Sequence, residues 1–160
     1  GTTPFTVAAC KAARAAGALT IGIASNPDTP LLHAAEYAVH TDSGPEPVAG
    51  STRMNAGTAQ TVALKMMSTL IMIRLGRVYD GHMVDVEPTN EKLRRRSELM
   101  VRDITGCDPD EAKAALSGAN GNVKLAVLLT TGMTADEGRA LLQQNDNNLR
   151  KALRTLKPSI

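Results

Sequence analysis

With 160 residues and a net charge of +2 (18 Lys plus Arg against 16 Asp plus Glu), the chain has room for one ordinary domain, or one domain with a small appendage. Apolar residues reach 42% but aromatics only 2%, so the core must be Ala, Val, Leu, Ile and Met, which suits helices packed on helices or on a sheet. Nucleic acid is not indicated by so mild a charge and so few stacking rings, and no apolar run is long enough to cross a membrane.

The opening segment lacks a basic, then apolar, signal-peptide pattern. Cys10 and Cys107 lie far apart, with no metal-type spacing, and imply a reduced, cytoplasmic chain. "TPFTVAACKAARAAGA" predicts a helix with Thr3 as N-cap, Pro4 at its first position and Gly17 at its end. "LTIGIAS" (19–25) reads as a buried strand stopped by Asn26-Pro27, "PLLHAAE" (30–36) as a helical turn or two, and "YAVHT" (37–41) as a second strand. This alternation predicts an α/β fold with a parallel sheet.

"GPEPVAGSTRMNAGTAQ" (44–60) sets a Pro/Gly loop before a long helix of about 56–75. Ala59, Val62, Ala63, Met66, Met67, Leu70 and Ile71 form one stripe; Leu64, Met72, Ile73 and Leu75 make the other side apolar too. Such a helix is expected to be covered on more than one face, and a subunit contact is one way to cover it. At the junction, Gly50 allows close backbone approach, while Ser51, Thr52 and the first helical N–H groups suit a phosphate or other anion, to which Arg53 could add a bidentate contact. Ser and Thr before a helix are also ordinary caps, and Thr3 carries the same ambiguity. Glu46 reads either as a solvated loop residue or as a contact to a sugar hydroxyl or amide.

"RVYDGHMVDVEPTN" reads as an extended, partly polar segment in which Asp85 and Glu87 are strand-end carboxylates rather than an acid pair. Leu93, Ser97, Met100, Val101 and Ile104 make the stripe of a helix ending near Gly106, with Arg94, Arg95 and Arg96 on a solvated face. His33, His40 and His82 have no metal-ligand spacing, and no metal is expected. Beyond Gly106, "DEAKAALSGANGNVKLA" (110–126) aligns with "DEGRALLQQNDNNLRKA" (136–152) at an offset of 26, pairing Lys124 with Arg150 and Asn122 with Asn148. Each copy opens on a capping-box pattern, Asp108 with Glu111 and Thr134 with Glu137. A bundle of about four short helices is expected, with a structural or interaction role and no catalysis.

Together "GPEPVAGSTRMNAGTAQ" and "MIRLGRVYDGHMVDVEPTNEKLRRRSELMVRDITG" strongly resemble N-acetylmuramic acid 6-phosphate etherases, bacterial enzymes of the sugar-isomerase (SIS) fold. The opening "GTTPFTVAACKAARAAGALTIGIASNP" is similar to the middle of the same proteins, where a Ser-Gly-x-Thr-Pro loop precedes a helix and a strand. The resemblance implies a flavodoxin-like parallel sheet with flanking helices over residues 1–106, incomplete on its N-terminal side. Residues 107–160 would form a small UBA-like helical bundle.

The implied activity of the whole enzyme is that of a carbon–oxygen lyase in the recycling of peptidoglycan amino sugars. It cleaves the D-lactyl ether of N-acetylmuramic acid 6-phosphate to N-acetylglucosamine 6-phosphate and D-lactate. A carboxylate base removes the proton α to the carbonyl of the open-chain sugar, lactate leaves, and water adds to the double bond, without metal or cofactor. By resemblance Thr3, Ser51 and Thr52, with Arg53 nearby, face the sugar phosphate, and Glu46 lines the pocket. No catalytic residue is assigned, because the family's two catalytic glutamates fall in the half that this chain does not contain. The resemblance therefore implies the C-terminal portion of an etherase, inactive alone, with a phosphorylated amino sugar as ligand. Its sheet edge should be bare, and a homodimer or an N-terminal partner chain is expected. Two other readings stay open: a non-catalytic sugar-phosphate-sensing regulatory module, and an aldose–ketose phosphosugar isomerase on the same fold.

Overall fold

The computed structural model describes residues 1–156. The chain divides into two compact units, Gly1–Ser68 and the part that begins at Thr69.

The first unit holds α1 (Pro4–Ala15), β1 (Ile21–Ala24), α2 (Pro30–Ala34), β2 (Tyr37–His40) and the greater part of α3 (Asn55–Arg74). β1 and β2 pair in parallel from Ile21 opposite Tyr37 to Ala24 opposite His40, the sheet that the alternating pattern predicts. Connecting parallel strands needs a crossover, which α2 supplies. Gly22 is required where α2 crosses β1: a Cβ there would lie 2.9 Å from the Ala35 Cβ and 3.0 Å from the Leu31 carbonyl. Buried apolar side chains here are few and small, namely Ala24, Leu31, Ala35 and Ala56.

Much of the apolar surface of this unit faces solvent. All four residues of β2 are exposed, α1 buries none of its residues, and Phe5 is 82% exposed. Along α3 only Ala56 is buried, with Val62, Leu64, Met66, Leu70, Ile71 and Ile73 open to solvent. The helix expected to need cover on more than one face thus finds little among the described residues.

In the second unit β3 (Val78–Tyr79) and β4 (His82–Met83) form an antiparallel hairpin, where the sequence suggested only an extended segment. Its two-residue turn is Asp80-Gly81, both at positive φ (46° and 79°), the backbone that an Asp-Gly pair adopts readily between twisted strands. α4 (Glu91–Thr105) follows, with Asn90 Oδ1 accepting from Leu93 N at 2.9 Å and Gly106 closing it in the left-handed conformation. Then come α5 (Pro109–Gly118), α6 (Val123–Leu129), α7 (Ala135–Gln144) and α8 (Leu149–Leu156). Both helix pairs start 26 residues apart, as the repeat predicts. Positions 157–160, at the end of the expected bundle, lie outside the described residues.

α4 turns Ser97, Met100 and Val101 inward; Met100 and Val101 share one core with Val84, Leu116, Leu128 and Leu149. Arg94, Arg95 and Arg96 stay exposed on its far side, the solvated face that the spacing predicts. The apolar stripe of α4 packs on α5 and α6. α6 is buried along Val123–Leu128 and forms the centre of the bundle, whereas α8 buries only Leu149 and Ala152.

Caps fix the helix starts. Asn122 Oδ1 accepts from Leu125 N (2.9 Å) and Asn148 Oδ1 from Lys151 N (3.2 Å). Thr134 and Glu137 form the full reciprocal box: Glu137 N donates to Thr134 Oγ1, and Thr134 N to Glu137 Oε2. At Asp108 the expected box is one-armed: Asp108 accepts from Glu111 N (2.8 Å) without a return bond from the Glu111 carboxylate. A charged cap repels a second carboxylate, while the Thr134 hydroxyl instead donates to Glu137 Oε2 at 2.8 Å.

Lys124 is 1% exposed, and its Nζ donates to Asp85 Oδ1 (2.8 Å) and to the Asn147 carbonyl (3.0 Å). The other Asp85 oxygen meets Arg77 Nε at 3.3 Å. Arg150, which the repeat aligns with Lys124, lies over the Tyr79 ring, 4.9 Å from its centroid. Removing Asp85 leaves the buried ammonium of Lys124 without its counter-charge, so Asp85→Ala should cost about 3 kcal/mol in urea unfolding, against under about 0.5 kcal/mol for exposed Glu87→Ala. Replacing both partners, Asp85→Leu with Lys124→Met, should recover most of that loss.

Backbone and hydroxyl hydrogen bonds from Thr134 hold the Glu137 carboxyl below its ordinary value of 4.5. The folded state thus binds this proton more weakly than the unfolded state. The stabilisation is complete above that ordinary value and is lost as pH falls through the lower folded one. Acid titration of unfolding midpoints should show this loss in the wild type and a flatter profile in Glu137→Gln. Thr134→Ala should cost about 1 kcal/mol at neutral pH.

Candidate functional site

Gly44 and Gly50, both at positive φ (70° and 76°), bend the loop that leads into α3. Ser51 N donates to the Val48 carbonyl (3.0 Å) and Arg53 N to the Ser51 carbonyl (2.9 Å), so the segment forms two successive tight turns. Ala49, Gly50, Ser51, Thr52 and Arg53 line an open concavity of about 520 Å³. Within it Arg53 Nε donates to Ser51 Oγ at 3.1 Å. A hydroxyl that accepts from a guanidinium still has its own proton to donate. Ser51, Thr52 and Arg53 thus gather two hydroxyls and a fixed positive charge in one place.

Glu46 is not directed into that concavity's polar group. Its Oε2 accepts from Asn55 N (3.1 Å) and its Oε1 from Ala56 N (3.0 Å), while Asn55 Nδ2 donates back to the Pro45 carbonyl (2.8 Å). The carboxylate therefore occupies the positive end of α3, the place where the sequence suggested that an outside anion could sit. Thr3 stands at the N-cap position of α1, but its hydroxyl makes no capping bond, and it does not line the loop concavity.

A second polar group was not found from sequence. Ser25 and Thr41 directly follow β1 and β2, with their hydroxyl oxygens 3.0 Å apart, and Gln60 Nε2 of α3 donates to Ser25 Oγ at 3.4 Å. They stand beyond the carboxyl ends of parallel strands, where open α/β sheets bind their ligands. The available signal was position alone, a hydroxyl residue immediately after each apolar strand.

Asp85 and Glu87 border a concavity of about 730 Å³ with Arg77 and Asn120. Asp85 is engaged by Lys124 and Arg77, which makes it a structural anchor. His33 pairs with Asp28 (2.7 Å), His82 with Asp103 (3.8 Å), and His40 is exposed. Among the described residues no group of three His, Cys, Asp or Glu is placed to hold a metal, and no helix is long and apolar enough to cross a membrane. Cys10 and Cys107 are both free thiols.

Comparison with known proteins gives two kinds of match. A UBA-like domain family matches residues 101–137, the end of α4 through the start of α7. Over 154 residues, 96% of the chain, it is 47% identical to N-acetylmuramic acid 6-phosphate etherase of Deinococcus radiodurans and 45% identical to that of Streptomyces avermitilis. The etherase of Symbiobacterium thermophilum is 51% identical over 128 residues. The chain spans about half the length of the curated relatives it matches, 50% of the first two and 43% of the third. Over the stretch it covers, the chain is thus similar to N-acetylmuramic acid 6-phosphate etherases.

Proposed function

We propose, from its kinship with N-acetylmuramic acid 6-phosphate etherases, that this chain supplies the C-terminal part of such an enzyme and the half of its pocket that grips the sugar phosphate. The observation that carries the reading is the Ser51–Thr52–Arg53 concavity at the head of α3, with the guanidinium already bonded to the Ser51 hydroxyl. A phosphate dianion there would receive charge-assisted hydrogen bonds from both hydroxyls and from Arg53. Thr3, whose hydroxyl is uncommitted to a cap, would supply a further contact from the head of α1. On this reading the two-strand sheet is the remnant of an SIS-type parallel sheet.

The reaction is elimination of D-lactate from N-acetylmuramic acid 6-phosphate followed by addition of water. This chain's share is binding and orientation. The carboxylates that move protons would come from the other half of the enzyme, which would cover β2 and the open faces of α1 and α3. Burying apolar surface contributes roughly 25 cal/mol per Å², so a partner half or a second copy has a strong drive to dock. Once joined, the assembly would act in the cytoplasm as a dimer.

Co-expression with the N-terminal half of a curated relative should give a soluble complex that releases D-lactate from N-acetylmuramic acid 6-phosphate, while the chain alone shows none. A folded complex without lactate release would overturn the etherase reading, and phosphosugar binding without turnover would favour a sensing module. In an active complex, Ser51→Ala with Thr52→Ala should lower kcat/KM by roughly 10²- to 10⁴-fold, since each hydroxyl bond to a charged phosphate contributes about 1.5–3 kcal/mol.

A further inference from the structure

We infer that Glu46 is a positioning residue: its carboxylate clasps the first amides of α3 and thereby sets the shape of the phosphate-gripping loop without touching the ligand. This rests on the phosphate-site reading of Ser51, Thr52 and Arg53 given above.

Three hydrogen bonds close the clasp. Asn55 N and Ala56 N donate to separate oxygens of Glu46, and Asn55 Nδ2 donates to the Pro45 carbonyl. Both ends of the 46–55 loop are therefore tied to each other, and Ser51, Thr52 and Arg53 lie within the span so closed. The bonds run from backbone N–H at a helix start to an ionised carboxylate, a combination stronger than a neutral pair. Ala56 is buried beneath the clasp, so the head of α3 is anchored on its inner side too.

The clasp also divides labour between anions. A helix start with its first amides unpaired would attract the sugar phosphate directly. Here those amides are satisfied from within, and a second anion in the same place would face the charge of Glu46. The phosphate is left to the hydroxyl side chains, Arg53 and the turn backbone. Gln at position 46 keeps the size but only one acceptor oxygen, so it cannot serve both amides.

The test uses the 160-residue chain, with inorganic phosphate and N-acetylglucosamine 6-phosphate as separate probes. In wild type the amides of Asn55 and Ala56 should be protected from hydrogen exchange, and Glu46→Gln should remove that protection while the rest of the amide spectrum keeps its dispersion. Affinity for both probes should fall by the same factor, roughly tenfold. If only the sugar phosphate weakens and inorganic phosphate binds as before, Glu46 contacts the sugar and the inference is overturned. Unprotected amides in wild type would overturn it as well. Should Glu46→Gln fail to fold, Asn55→Ala removes only the bond to Pro45 and should weaken both probes equally by a smaller factor. A wild-type chain that binds neither probe, yet keeps both amides protected, would sustain the clasp and sink the phosphate-site reading.

Discussion

Burial of Lys124 constrains everything around it. An ammonium group removed from water is tolerable only with a counter-charge and hydrogen-bond acceptors, and the structure supplies both: the Asp85 carboxylate at 2.8 Å and the Asn147 carbonyl at 3.0 Å. Those partners come from distant parts of the sequence, the segment after the β3–β4 hairpin and the link between α7 and α8. One side chain thus fixes where the hairpin segment, α6 and the second helix pair meet. Val84, buried directly before Asp85, adds apolar contact at the same point. Arg77 meets the other Asp85 oxygen at the solvent edge.

The first unit is built on a different principle. Its side chains bury little, and its order comes from backbone pairing, close packing at Gly22 and the carboxylate of Glu46 on the head of α3. Such a unit has local definition without a sizeable core of its own. The chain spans about half the length of the curated relatives it matches.

Much of this was legible in the residues. Short apolar runs beside turn signals gave both strands of the parallel sheet, helical spacing gave the long helices to within a few positions, and the offset of 26 between copies placed four helix starts. The hairpin is hard to read from sequence although Asp80-Gly81 is a strong turn signal, because its strands are only two residues each. Glu46 was legible as a loop carboxylate, but its partners are backbone amides, which carry no sequence signature. The role of Asp85 depended on a cation 39 positions away; a lysine within an otherwise apolar run, "NVKLAVLL", was the one hint that something must neutralise it. Ser51, Thr52 and Arg53 were visible as a group because they are adjacent in sequence, whereas Ser25, Thr41 and Gln60 meet only through the fold.

Lys124 and Arg150 occupy matching places in the duplicated helix pair, yet one is sealed inside and the other lies over a tyrosine ring at the surface. The two copies have therefore specialised. A chimera carrying the second pair twice would place a guanidinium, bulkier than an ammonium, in a space shaped for lysine, and one carrying the first pair twice would need a second aspartate to pair with the added lysine. What began as symmetry in the sequence has become a division into a keystone and a buttress, and neither can stand in for the other.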